Sequence, residues 1–188
     1  MSQQSGAPRL GSSNRLVCVS GPECSGKTTL AKDLANALGA PYLPELARCW
    51  LEVDSSRTQN EQLIRDLVES QEQEERHRLE AVPSGWIIAD TDVVVLAIWW
   101  LERFAAADQS LPSWLGEVLD RRTPRRYLLA TPEMPWLYDP LRSNPNDRDR
   151  LLERHIAWHE QDRFPWILLH GSHAERRATA LALLTVAS

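Results

Sequence analysis

The chain has 188 residues, with 21 Lys and Arg against 26 Asp and Glu, for a formal net charge of −5. Its 43% hydrophobic and 25% charged residues are those of an ordinary globular protein, long enough for one domain with a full core. The acidic balance, with Arg and Glu interspersed, argues against nucleic acid as a partner, and the pairs Arg121-Arg122 and Arg125-Arg126 read as a solvated helix end.

Residues 1–13, rich in Ser, Gln and Gly and without an apolar core, read as a disordered tail rather than a signal peptide. That leaves 14–188 as a single expected domain. The longest apolar run, Val93 to Leu101, is nine residues, about half of a membrane span, so no membrane partner is expected. Cys18, Cys24 and Cys49 are odd in number and form no C-x-x-C pair, which points to reduced thiols in a cytoplasmic protein.

Leu16 to Ser20 is a short apolar run, as a buried parallel strand requires. Gly21-Pro22-Glu23-Cys24-Ser25-Gly26-Lys27-Thr28 then matches the phosphate-binding pattern G-x-x-x-x-G-K-[ST] without a mismatch. A helix follows to Leu38, with apolar residues at 30, 31, 34, 35, 37 and 38. Strand, glycine loop and helix together aim successive N–H groups and a helix N-terminus at phosphate oxygens. Gly21, Cys24, Ser25, Gly26, Lys27, Thr28 and Thr29 form the expected nucleotide-binding set for ATP. Lys27 would reach the β/γ-phosphates and the Thr28 hydroxyl would ligate Mg2+. Cys24 is either a reactive thiol that ATP protects or filler at a variable loop position.

Gly39 suits a helix C-cap, and residues 40–44 form an extended segment ending at Glu45. Glu45 either accepts the proton of a substrate hydroxyl or binds that hydroxyl, with Arg48 pairing with substrate or phosphate, or the two form an i,i+3 ion pair on a short helix. Residues 58–80 predict a long exposed helix with an apolar stripe at Leu63, Ile64, Leu67 and Val68, the run Glu69 to Glu80 being a solvated face. After the break at Pro83-Ser84-Gly85, Trp86 to Asp90 is a second buried strand ending in an acid. Asp90 sits where open α/β sheets collect ligands, so it is the expected Mg2+ ligand, direct or through water. Asp92 either shares that role or, like Thr91, caps the next helix.

Helices are expected over 92–106 and 112–121, then a strand over Arg126 to Thr131. Residues 132–146 are a loop of functional length. Trp136, Asp139, Arg142, Arg148 and Arg150 would make it and the following turn either an arginine-bearing lid over triphosphate or a solvated loop. A helix over 147–162 places His155 and His159 at i,i+4, without the pattern that would argue for zinc. Phe164 to His170 is a final strand, Gly171 a turn, and 173–186 a closing amphipathic helix. Among eight tryptophans, Trp99, Trp100, Trp114, Trp158 and Trp166 read as core, and Trp50 and Trp136 as candidates to stack on a flat substrate ring. Strands alternating with helices predict an α/β P-loop NTPase fold. It would be the nucleoside/nucleotide-kinase version, with about five parallel strands, helices on both faces and a lid segment.

Several further matches occur in one order: the phosphate loop running on through Thr29-Leu30, Pro44-Glu45-Leu46-Ala47-Arg48, Asp90-Thr91-Asp92, Pro135 to Arg142, and Gly171 with Arg176. On these residues the chain resembles the ribosylnicotinamide kinase domain of the NadR proteins, and the wider group of AAA-like P-loop ATPases, from about residue 14 to 184. The resemblance implies transfer of the ATP γ-phosphate to the 5′-hydroxyl of a pyridine riboside. It places Glu45, Asp90 and Asp92 around acceptor and Mg2+, Arg142 and Arg148 in the lid, and Gly171-Ser172 near adenine with Arg176 supporting that loop. The family usually reads Pro-Glu-Tyr-Ala-Arg-Glu-Tyr where this chain has Leu46, Cys49 and Trp50, and Asp-Gly where it has Asp139-Pro140, which alters the acceptor pocket.

The function this predicts is an ATP- and Mg2+-dependent small-molecule kinase acting on a nucleoside-like acceptor. Glu45, Arg48, Trp50, Asp92, Trp136 and Asp139 would sit at the acceptor, and Lys27, Glu45, Asp90, Arg142 and Arg148 at the reacting groups. The alternatives are a kinase for another nucleoside or vitamin, or an ATPase switch acting through a protein partner. A homo-oligomer is compatible with the sequence.

Overall fold

The computed structural model describes residues 15–47, 61–104, 110–136 and 147–185. Among them are β1 (Leu16–Ser20), α1 (Lys27–Leu38), β2 (Tyr42–Leu43), α2 (Glu61–Ala81), β3 (Ile87–Asp90) and α3 (Val93–Arg103). These are followed by α4 (Ser113–Asp120), β4 (Arg125–Ala130), α5 (Arg148–Gln161), β5 (Trp166–Leu169) and α6 (His173–Thr185). The five strands form one sheet in the order β2-β3-β1-β4-β5, with every neighbouring pair parallel.

The two-residue period of a strand assigns the faces. Val17, Val19, Ile88 and Leu128 pack against Leu30, Ala31 and Leu34 of α1 and Ala180 and Leu184 of α6. Leu16, Cys18, Ile87, Ala89 and Tyr127 pack on the opposite face against Leu63, Ile64 and Leu67 of α2, Val94, Ala97 and Ile98 of α3, and Leu115 of α4. β1, covered on both faces, is buried at all five positions, which is why it reads as an unbroken apolar run. Gly39 ends α1 in the left-handed region at φ 60, and the amide of Ala40 returns to the Ala35 carbonyl at 2.9 Å. After β1 the chain turns to one face through α1, and after β3 to the other through α3. The two connections therefore diverge side by side at the carboxyl ends of paired strands, where Val19 lies in register with Asp90.

The structure corrects two surface expectations. Arg125 and Arg126 open β4 rather than end a helix, and both are buried. Glu75 on the charged run of α2 points inward and pairs with Arg125 at 2.7 Å, the two side chains being 13% and 1% exposed. Arg122 is likewise buried on Asp162 at 2.9 Å, while Arg121 stays at the surface on Glu72. β4 lies inside the sheet, so α2 covers its first residues, and Arg125 and Arg122 enter the interior paired with carboxylates, while the Arg126 guanidinium lies over the Trp86 ring, 5.0 Å from its centre.

His159, 1% exposed, sits between the Tyr127 ring at 4.3 Å and the Trp166 ring at 6.0 Å, and neither ring nitrogen has a partner among the described residues. Burial pushes its pKa from 6.5 down to about 4. The unfolded chain takes up this proton near pH 6.5 and the folded chain does not until about pH 4. Stability is therefore lost as pH falls through that window, by about 3 kcal/mol at its lower end at roughly 1.4 kcal/mol per pH unit. His159→Phe is expected to keep the ring packing and make the fall in Tm between pH 7 and 4.5 less steep. An unchanged slope in that variant would show that His159 is not the group that resists protonation.

Candidate functional site

The loop after β1 is built for close backbone approach. A Cβ on Gly21, at φ 134, would meet the Ala130 carbonyl oxygen of β4 at 2.5 Å, so no side chain fits there. Cys24 at φ 54 and Gly26 at φ 81 take left-handed conformations that curl the loop. Gly26 stands at the N-cap of α1 with no side-chain cap among the described residues, leaving the first helical amides and the positive end of the dipole to the loop. Lys27, half-buried, donates from Nζ to the Pro22 carbonyl at 2.7 Å, which lays the ammonium across the loop. Ser25 is buried, Thr28 is half-buried and Thr29 is exposed.

Beside this loop, Asp90 at the end of β3 is 1% exposed. Its Oδ2 accepts from the Tyr42 hydroxyl of β2 at 3.1 Å, and its Oδ1 is buried with no partner among the described residues. A buried carboxylate oxygen without a donor among the described residues suits a hard cation or a water bound to one, so Asp90 has the chemistry of the Mg2+ site expected of it. Among the described residues no cluster of three or more His, Cys, Asp or Glu forms a protein-only metal cage, His155 and His159 included. Mg2+ on a nucleotide requires none, because phosphates and water complete its shell.

Gly21, Pro22 and Lys27 form one wall of a cleft whose other walls are Glu45 after β2, Val95, Ile98, Trp99 and Glu102 of α3, and Leu151 and His155 of α5. A smaller recess continues from it, bordered by Glu45, Gln71, Thr91, Asp92 and Trp99. Glu45 and Trp99 border both. Trp99, expected in the core, is half-buried on the cleft wall with the Arg103 guanidinium 5.6 Å from its ring centre. Glu102 and His155 were not expected here either. The signal for Glu102 is spacing, since Val95, Trp99 and Glu102 share a face of α3 and a carboxylate there marks that face as open. His155 contacts the Ser20 hydroxyl at 3.3 Å, and burial followed by the nearby Lys27 charge holds its pKa well below the usual range.

Asp92 turns away from the phosphate loop. Its Oδ1 caps α3 by accepting from the Val94 amide at 3.0 Å, and its Oδ2 accepts from Tyr127 at 2.6 Å and Arg125 at 3.0 Å. Of the two roles open to it, the cap is the one its carboxylate occupies, although the residue still borders the recess.

On the other side of the loop, Arg176 is 1% exposed and ties three segments together. It donates to the Ser25 carbonyl at 2.8 Å, to the Thr131 hydroxyl at 3.0 Å and to the Gly171 carbonyl at 2.8 Å. Ser172 and Glu175 cap α6 reciprocally, and Glu133 accepts from the Gly171 amide. Gly171-Ser172 is thus fixed beside the phosphate loop. Arg148 donates to the Met134 carbonyl at 2.8 Å and lies 5.8 Å from the centre of the Trp136 ring, and Met134 in turn lies beside Gly26. Arg150 pairs with Glu102, linking α5 to α3. Arg48, Cys49, Trp50, Asp139 and Arg142 lie outside the described residues.

A parallel sheet in the order found here, with a glycine loop and a buried acid at adjacent strand ends, defines the P-loop fold of nucleoside and small-molecule kinases. The chain belongs to the AAA_28 family of AAA domains, whose model matches residues 16–176. No curated protein matches it. Among solved structures it is similar to NadR in complex with NR, at 16% identity and a TM-score of 0.74, covering 93% of this chain and 52% of that one. NadR in complex with NAD and AMP-PNP is similar at 18% identity and a TM-score of 0.67, over 93% of this chain and 50% of that one. Thymidylate kinase from Candida albicans is similar at 13% identity and a TM-score of 0.67, over 94% and 93% of the two chains. The chain thus spans about half the length of the NadR chains it matches. Among the described residues no helix is long and apolar enough to cross a membrane.

Proposed function

We propose that this chain is an ATP-dependent kinase that passes the γ-phosphoryl group of ATP to a hydroxyl of a small nucleoside-like acceptor. The observation that carries this reading is the shared cleft: Lys27 of the phosphate loop and the Glu45 carboxylate border the same opening, opposite an apolar wall of Val95, Ile98, Trp99 and Leu151. A nucleotide-binding switch has no need of a second, ring-sized wall facing its phosphates. Nicotinamide riboside is the first candidate acceptor, supported by the likeness to NadR in complex with NR and by an aromatic wall suited to a flat ring.

In this reading the loop amides and the N-terminus of α1 bind the β-phosphate, and Lys27 moves from the Pro22 carbonyl to the β/γ oxygens. Glu45 orients the acceptor hydroxyl and accepts its proton as transfer proceeds, which a loose transition state demands only late. Trp99 packs on the acceptor ring, and Arg148 brings positive charge from α5 towards the transferred group. Asp90 and Thr28 would hold Mg2+, which when bound neutralises developing phosphate charge. The Gly171-Ser172 loop, fixed by Arg176, borders the nucleotide on the far side.

The test is ADP release from ATP and Mg2+, with and without nicotinamide riboside and then across nucleosides and vitamins. Strong stimulation by nicotinamide riboside supports the full reading, and stimulation by another compound keeps the kinase and changes its acceptor. Slow hydrolysis that no acceptor stimulates would replace the kinase with an ATPase switch.

A further inference from the structure

Asp90 owes its place to a turn that is difficult to form. Thr91, a β-branched residue, sits in the left-handed region at φ 70, a conformation that persists only where surrounding contacts impose it. Its amide donates to the Val19 carbonyl at 3.0 Å. The next residue, Asp92, is anchored from beneath the turn: Tyr127 and Arg125 of β4 both donate to its Oδ2, while Oδ1 is held by α3. The anchors are themselves braced. Glu75 of α2 accepts two bonds from Arg125, at 2.7 and 2.9 Å. The Tyr127 hydroxyl accepts from Arg122 at 2.6 Å, and Arg122 is held by both oxygens of Asp162 just beyond α5. A buried chain of charges thus runs from α2 to the end of α5, with its centre on the residue two positions after Asp90.

We infer that Tyr127 and Arg125 are positioning residues: through Asp92 they hold the Asp90–Asp92 turn so that Oδ1 of Asp90, unpartnered among the described residues, faces the nucleotide. Buried ion pairs are weak contributors to stability, since apolar residues fill such space as well or better. A chain of them ending on a turn in an unfavourable conformation is better explained by the geometry it enforces. The inference rests on the reading of Asp90 as the Mg2+-side carboxylate.

The test uses the full chain and Tyr127→Phe, which removes one hydroxyl and keeps the ring against His159. ATP binding is followed by tryptophan fluorescence, without Mg2+ and across a Mg2+ titration, alongside a thermal melt. The expected result is unchanged metal-free ATP affinity and a Mg2+ midpoint raised several-fold, short of the roughly tenfold loss of a partner bonded to the metal ligand itself, because Tyr127 acts through Asp92 and the turn. Glu75→Gln, at the outer end of the chain, should shift the midpoint in the same direction by less, and it tests the inference should Tyr127→Phe fail to fold. Leu115→Ala, a core truncation away from the turn, should lower Tm and leave the midpoint in place. A wild-type midpoint in Tyr127→Phe, or in Glu75→Gln if only that variant folds, would overturn the inference, as would ATP binding indifferent to Mg2+ in the unaltered chain. ATP binding that depends on Mg2+ without phosphorylation of any acceptor would sink the kinase reading and leave this one standing.

Discussion

Lys27→Ala is expected to abolish measurable ATP turnover while the fold melts as before. Loss of a single preorganised charge at a developing oxyanion costs about 10²–10³ in rate, and here the same ammonium also contributes ground-state affinity for the triphosphate. The fold should tolerate the change because Lys27 is half-buried at the start of α1 and its hydrogen bond goes to the Pro22 carbonyl of its own loop. Alanine is also the best helix former for that position. Calorimetric titration with ATP, beside a circular-dichroism melt, separates the two effects. Wild-type binding and turnover in the variant would remove the phosphate-loop assignment.

Glu45→Gln should leave ATP binding intact and slow acceptor phosphorylation by about 10²–10⁴, the usual contribution of a positioned proton acceptor. Glu45 borders the cleft and its inner recess but belongs to neither the phosphate loop nor α1, so the loss should fall on kcat. A rise in acceptor KM alone would make Glu45 a hydroxyl ligand rather than a base. Full turnover would make it structural. These two variants divide the site between them, since the first removes the nucleotide and the second spares it.

Much of this architecture is local and so was readable from residue order. The phosphate loop depends on glycines at fixed spacing between an apolar run and a helical one, and the structure curls Gly21 and Gly26 as that pattern demands. Strand, loop and helix alternation fixed a parallel sheet with helices on both faces, because consecutive parallel strands need a crossover. Asp90 was legible because an acid at the end of a buried strand needs a reason to be there.

The remaining features depend on which elements meet in space. A charged run on a helix looks solvated until the neighbour that covers it is known, and α2 covers the start of β4, so Glu75 and Arg125 go inside together. Asp92 has the sequence context of both a cap and a ligand, and the choice was made by Tyr127 and Arg125, residues more than thirty positions away. Trp99 sits in an apolar helix like any core residue, and its exposure to the cleft follows from how α3 is rotated against the phosphate loop. Arg176 was marked only by the family resemblance, as a support for the Gly171-Ser172 loop, and its reach to the phosphate loop 151 residues earlier in the chain came from packing. Short-range order specified the elements and the nucleotide loop. The pairing of distant charges, the rotation of helices about the sheet and the walls of the cleft arose from packing, where each polar group had to find its partner out of water.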